Sequence, residues 1–140
     1  MPIHIRSDNM TFNLHAGVFT YDGHAYATKE DMTLQGSRIT TYQNKQHQVY
    51  KVITIGKPAR FDKTNALTKE PPLNSKAETI TFYPKQHLAV LQKNAWARKG
   101  NDSVTGKKIT YNTLTQILHS DAPKKKRVHI ELDNQGNLVQ

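Results

Sequence analysis

Apolar and polar positions alternate along most of the chain with a period of two, as expected for strands with one buried face. Ile3 and Ile5 flank His4, and Ser7-Asp8-Asn9 then breaks the phase. Met10, Phe12 and Leu14 alternate up to Ala16-Gly17, followed by Phe19, Tyr21 and Asp22-Gly23, a pair that favours a tight turn or a bulge. Ala25 and Ala27 run to a turn at Lys29-Glu30-Asp31, Met32 and Leu34 lead to Gly36, and Ile39 and Thr41 close the block. Gln43 to Gln48 is polar and reads as a loop tip; Val49 to Ile55 resumes the alternation, and Gly56-Lys57-Pro58 bends the chain into Ala59-Arg60-Phe61. Residues 62–77 carry Pro71-Pro72 and little apolar content, which predicts a mobile connection. The pattern restarts with Ile80 and Phe82 and ends in Val128-His129-Ile130-Glu131-Leu132, with residues 134–140 expected to fray.

The second half echoes the first. A shift of 70 aligns residues 7–42 with 77–112 without a gap, matching Thr11/Thr81, Phe12/Phe82, Ala25/Ala95, Ala27/Ala97, Gly36/Gly106 and Ile39/Ile109 among eight identities. Tyr26/Trp96, Leu34/Val104 and Arg38/Lys108 are conservative pairs. The shared apolar phase implies one multi-strand unit used twice, stacked end to end so that the buried interior is continuous. Residues 1–140 are therefore expected to form a single domain of two similar halves.

Composition narrows the class. Thr, Ile, Val and the aromatics suit a pleated sheet, and the longest apolar run, Leu88-Ala89-Val90-Leu91, is far short of a spanning helix. With no signal-peptide core visible, the chain is expected to be cytosolic or an already processed secreted form. The absence of cysteine removes disulfides, thiol nucleophiles and Cys-based zinc sites. The seven histidines lack metal-ligand spacing and read as surface residues. Glu30-Asp31 reads as a solvated turn rather than an acid–base pair, so no enzyme, catalytic residue, metal or cofactor is expected.

A net charge of +9 and the run Pro123-Lys124-Lys125-Lys126-Arg127-Val128 raise a basic module binding nucleic acid as the alternative. The run also reads as a solvated turn guarding a strand edge, or as a contact for phosphorylated head groups. Stacking platforms need solvent-facing aromatics among the basic residues. Most aromatics here share the phase of Ile and Leu, so no nucleic acid is expected.

The remaining signal is the inward apolar row. In the first half it comprises Ile3, Ile5, Met10, Phe12, Phe19, Tyr21, Leu34 and Ile39, continuing through Ile55 and Phe61. In the second it comprises Ile80, Phe82, Leu91, Val104, Ile109 and Tyr111, with Ile130 and Leu132 in the closing strand. An ordinary sandwich core would look the same. With no helix to cover an open face, a sheet folded on itself and open along one seam would instead form an apolar trough suited to acyl chains. Its unpaired end strands, Ile3, His4 and Ile5 at the opening and Val128, His129 and Ile130 at the close, are candidates for head-to-tail contacts between copies.

Several segments carry a family resemblance. Pro2-Ile3-His4-Ile5-Arg6-Ser7-Asp8, Gly23-His24-Ala25-Tyr26-Ala27 and its echo Lys93-Asn94-Ala95-Trp96-Ala97, Gly56-Lys57-Pro58-Ala59-Arg60-Phe61 and Gly106-Lys107-Lys108-Ile109-Thr110-Tyr111 resemble the OstA-like lipopolysaccharide-transport proteins. The resemblance covers about residues 2–133, and is strongest to the periplasmic bridge members. It implies an open, twisted antiparallel β-jellyroll without catalytic residues that carries lipopolysaccharide, through its lipid A, from inner to outer membrane. It also implies head-to-tail self-association and docking to LptC and to the amino-terminal domain of LptD.

Overall fold

An apolar face on every strand, with no α-helix among the described residues to cover it, leaves the sheet to bury that face against itself. The computed structural model describes residues 2–121 and 129–132. There, ten strands form one antiparallel sheet. In chain order they are β1 (His4–Arg6), β2 (Asn9–Asn13), β3 (Val18–Lys29), β4 (Met32–Gln43), β5 (Val49–Lys63), β6 (Leu73–Tyr83), β7 (Leu88–Lys99), β8 (Asp102–Asn112), β9 (Leu118–Asp121) and β10 (His129–Glu131). Their spatial order is β1-β3-β4-β5-β6-β7-β8-β10, with β2 also on β3 and β9 also on β8. Apart from the two ends, each strand pairs with its neighbour in sequence through a hairpin.

Every ladder from β3–β4 to β7–β8 breaks register at one shared level. The breaks fall at Asp22/Ala25, Gln35/Arg38, Ile55/Ala59, Lys76/Thr79 and Gln92/Ala95. Bulges bend and twist the strands that carry them, and lined up across the sheet they form a crease. The crease divides the sheet into two leaves. The first holds β1, residues 25–29, 32–36, 59–63, 73–77, 95–99 and 102–106, and β10. The second holds β2, residues 18–22, 38–43, 49–55, 79–83, 88–92 and 108–112, and β9. Phe61 of the first leaf stacks on Phe82 of the second with ring centroids 6.4 Å apart, so the leaves close on each other.

The repeat is visible as identical register. Ala27 pairs Leu34 and Ala97 pairs Val104; Tyr21 pairs Ile39 and Leu91 pairs Ile109, each set 70 residues apart. β1 and β2 together occupy the place that the single strand β6 takes in the second copy. At the crease, Gly23 and His24 have φ of 87° and 47°, and Lys93 and Asn94 repeat that left-handed pair at 68° and 55°. The bulge therefore survives the exchange of Gly23 for a lysine at the equivalent position. One polar contact recurs with it: His24 Nδ1 lies 2.8 Å from Asp8 Oδ2, and Asn94 Nδ2 donates to Glu78 Oε2 at 2.6 Å.

Two expectations require correction. The connection predicted over 62–77 spans only 64–72, because β5 runs through Lys63 and β6 starts at Leu73. It is tied down rather than loose: Asn65 is buried, its backbone N–H donates to Asp31 Oδ2 at 3.0 Å, and its Nδ2 donates to the Pro71 carbonyl at 2.9 Å. Asp31 also accepts from Lys63 Nζ at 3.0 Å, so this turn residue anchors a loop instead of merely facing solvent. The basic run 123–128, including Val128, lies outside the described residues.

Gly36 is packed against backbone at the crease, since a Cβ there would run into the Ile55 carbonyl oxygen and sit 2.8 Å from Thr54 Cγ2. Because the obstacle is the backbone of the adjacent strand, Gly36→Ala is expected to destabilise the fold by about 1–3 kcal/mol. A fall in the urea midpoint at unchanged slope is the expected reading; an unchanged midpoint would mean the crease can widen freely.

Candidate functional site

The space between the leaves is lined from both sides by inward-pointing side chains. From the first leaf come Ala25, Ala27, Leu34, Ala59, Phe61, Leu73, Ala95 and Ala97; from the second come Ile39, Val52, Ile80, Phe82, Ala89, Leu91, Ile109 and Tyr111, all buried. Small residues dominate one wall and large ones the other, which lets the leaves approach closely. Fully burying an aliphatic or aromatic side chain stabilises by about 1.5–3 kcal/mol, so this interior is also the main source of cohesion.

Of the residues singled out by the alternation, Leu34, Ile39, Phe61, Ile80, Phe82, Leu91, Ile109 and Tyr111 are buried between the leaves. Ile3, Ile5, Phe19, Tyr21 and Val104 are half-buried. Ile3, Ile5, Tyr21 and Val104 pack against the buried cluster. Phe12 is 51% exposed. It pairs with Phe19, whose other neighbour is the inward Thr41, and stacks on Phe19 at 5.7 Å. It thus faces the interior from the end strand, where no further strand covers it. Ile55 is a correction: it points outward and is 37% exposed. Val52 and Thr54 hold the inward phase of β5, and the bulge after Ile55 resets that phase before Ala59 and Phe61.

The inward apolar row left out the buried Thr41, Thr54 and Ser75, because polar types were not counted as interior. Ser75 neutralises its hydroxyl by donating to the Phe61 carbonyl at 2.6 Å. The repeated Ala25/Ala27 and Ala95/Ala97 pairs were the available signal for the small-residue wall.

The interior is not an empty trough. Near Ile3, Met32, Leu34, Val52, Phe61 and Phe82 the free space is about 20 Å³, and one water already needs roughly 10–15 Å³. An acyl chain can enter there only if the leaves part. At the opposite end a hollow of about 420 Å³ opens among Ala97, Val104, Leu118, Ser120 and Ile130. Ile130 pairs with Val104 and so faces the interior, 58% exposed. Both ends therefore present uncovered apolar side chains next to edge strands.

The hairpin tips form two rims along the seam. Lys99 on the first rim donates to Gln116 Oε1 on the second at 2.9 Å and lies 3.4 Å from Glu70. This contact ties the rims together at the β7–β8 end. Among the described residues no group of three or more His, Cys, Asp or Glu side chains could hold a metal.

Comparisons with known proteins agree with this geometry. The profile of the family described as LptA/(LptD N-terminal domain) LPS transport protein matches residues 4–117. The lipopolysaccharide export system protein LptH of Pseudomonas aeruginosa is 28% identical over 119 residues, covering 85% of this chain and 67% of that protein. The lipopolysaccharide export system protein LptA of Escherichia coli is 27% identical over 128 residues, covering 91% and 68%. LptA of Haemophilus influenzae is 25% identical over 129 residues, covering 91% and 74%. The crystal structure of P. aeruginosa LptH, the LptA homologous periplasmic component of the lipopolysaccharide transport device, superposes with a TM-score of 0.86 at 24% identity, covering 94% of this chain and 95% of that one. The fold is the same open jellyroll.

Tyr111 brings polar chemistry to the apolar wall. Its hydroxyl is buried and has no hydrogen-bond partner among the described residues. Burial, then the carboxylates of Glu70 and Asp31, hold its phenol above the usual 10.0. Above pH 10 the unfolded chain gives up this proton before the folded one, so stability falls with rising pH until the folded phenol also ionises. In Tyr111→Phe, stability at pH 7 is expected to stay level or rise by about 1 kcal/mol. The difference between wild type and variant should then widen in favour of the variant above pH 10 in urea titrations; parallel pH profiles would show that the hydroxyl is solvated.

Proposed function

Because the chain belongs to the LptA/(LptD N-terminal domain) family of LPS transport proteins, we propose that the space between its leaves is the path along which lipopolysaccharide acyl chains travel. It is an LptA-like lipopolysaccharide transport protein, not an enzyme. The carrying observation is the apolar interior that runs through the sheet and ends uncovered at both edge strands, at Phe12 on one side and Ile130 on the other. The likeness to LptH supports a place in the periplasm.

Energetics favour a competitive mode of entry. A chain of about a dozen carbons gains on the order of 10 kcal/mol on leaving water, at about 0.8 per CH₂. It must displace leaf-to-leaf contacts such as the Phe61–Phe82 stack, worth about 0.5–1.5 kcal/mol beyond its buried area. The net affinity is the difference, which allows release as well as capture. The residues proposed to meet lipid are Leu34, Ile39, Phe61, Ile80, Phe82, Leu91, Ile109 and Tyr111, joined near the ends by Ile3, Ile5, Phe12, Phe19, Tyr21 and Val104.

Assembly follows from the ends. Among the described residues, β1 and β10 each pair on one side, over three residue pairs. Adding β10 of one copy to β1 of the next is a heterologous contact that grows into a filament unless it closes a ring. Ile5 and Ile130 would then continue one interior across the junction, and residues 1–140 act as one unit of it. The same ends suit docking to LptC and to the amino-terminal domain of LptD.

A photo-reactive residue at Phe61 or Phe82 is expected to crosslink lipopolysaccharide, whereas one at the outward Ile55 of the second leaf is not; equal yields at all three would refute the interior path. His129→Pro removes a strand donor and is expected to leave a folded monomer whose mass by light scattering no longer rises with concentration. Growth undiminished in that variant would move the interface elsewhere.

A further inference from the structure

The outer face of the first leaf carries a pattern that the interior path does not use. Going across the strands, Arg6 pairs with Tyr26, Tyr26 with Gln35, Gln35 with Arg60, Arg60 with Lys76, and Lys76 with Trp96. Within this row the Arg6 guanidinium lies 4.9 Å from the Tyr26 ring centroid. Seventy residues on, Lys76 Nζ lies 5.2 Å from the Trp96 ring, and Arg98 approaches the same ring at 5.7 Å. The cation-on-aromatic pair therefore recurs at the same offset as the buried alanines, although a pair on the outer face gains nothing from packing between the leaves.

Charge balance distinguishes these cations from ordinary surface pairs. Arg60 shares the row but is matched by Asp62 at 3.4 Å. Arg6, Lys76 and Arg98 have no carboxylate within ion-pair distance among the described residues. The rings hold their long side chains against the sheet, so less rotamer freedom is lost when an anion binds. At the first pair the surface is concave, a hollow of about 270 Å³ lined by His4, Arg6, Tyr26 and Thr28. A flat ring beside unneutralised donors fits a ligand with both an apolar ring face and a phosphate.

We infer that the outer face of the first leaf bears two repeat-related sites, Arg6 with Tyr26 and Trp96 with Lys76 and Arg98, that take phosphorylated sugars. The inference rests on the transport reading, in which acyl chains lie between the leaves and a phosphorylated saccharide must stay in water. Tyr26 is four residues from the rim at Glu30, roughly 13 Å along a strand, so a saccharide leaving the seam can fold over the rim onto this face. Tyr26 and Trp96 stand four strand steps apart, on β3 and β7. Strand twist rotates the two sites relative to each other by roughly 80–100°. A short saccharide thus engages one at a time, and passes from one to the next as its lipid advances.

Trp96 is the only tryptophan of the chain, so its fluorescence reports the second site directly. The probe is the phosphorylated oligosaccharide of lipopolysaccharide stripped of all acyl chains. Saturable quenching is expected, with the half-saturation concentration raised about tenfold or more when Lys76→Gln and Arg98→Gln are combined, and likewise when the probe is dephosphorylated. Arg6→Gln should leave the Trp96 response intact while removing one of two sites by calorimetry. Absence of both quenching and heat would overturn the proposal, as would equal binding of the dephosphorylated sugar, equal binding of inorganic phosphate alone, or tighter binding of oligothymidylate. Crosslinking from Phe61, measured on the same protein, separates the two readings: if it persists while the sugar fails to bind, only the outer sites are lost.

Discussion

A sheet with one apolar face and, among the described residues, no α-helix to cover it has to shield that face with itself, and the crease is how this chain does so. Bulges in successive strands fall at one level, and the leaves they create meet through Phe61 and Phe82. The crease needs backbones packed closer than a side chain permits, as at Gly36, and residues willing to adopt left-handed φ, as at Gly23 and Lys93. The same fold that supplies cohesion also creates an interior with two unsealed ends.

That double role shapes how lipid can be carried. A preformed pore would keep the leaves apart, whereas beside Phe61 and Phe82 they close to about 20 Å³ of free space. On the proposed path, apolar contacts between the leaves would be exchanged for apolar contacts with the cargo, so loading and unloading would differ little in the area hidden from water. The Lys99–Gln116 contact restrains the rims at the β7–β8 end of the seam.

Much of this was legible in the sequence. The 70-residue repeat foretold matching hairpins, and Leu34, Ile39, Ile80 and Ile109 could be placed inside from alternation alone. Ile55 could not, since a bulge one residue later flips the phase and nothing local distinguishes an outward isoleucine from an inward one. The connection after β5 was over-long in the reading, because Leu73 and Ser75 pair in β6 despite a polar neighbourhood. The outward Tyr26 and Trp96 were hidden for a related reason: they sit between alanines, and the small residues, not the large ones, are the buried members of those strands.

The strands lie across the direction in which the sheet extends, so its backbone hydrogen bonds lie along it. Tension applied end to end would load those bonds directly, ladder by ladder. The inner ladders share the load over nine or ten residue pairs, as in β5–β6 and β3–β4, whereas β1–β3 and β10–β8 have three. Strain between two anchored ends would therefore part the terminal strands first and leave the inner jellyroll whole. If the proposed head-to-tail joints are made through these short end strands, they are the place where such an assembly would yield first and could be remade.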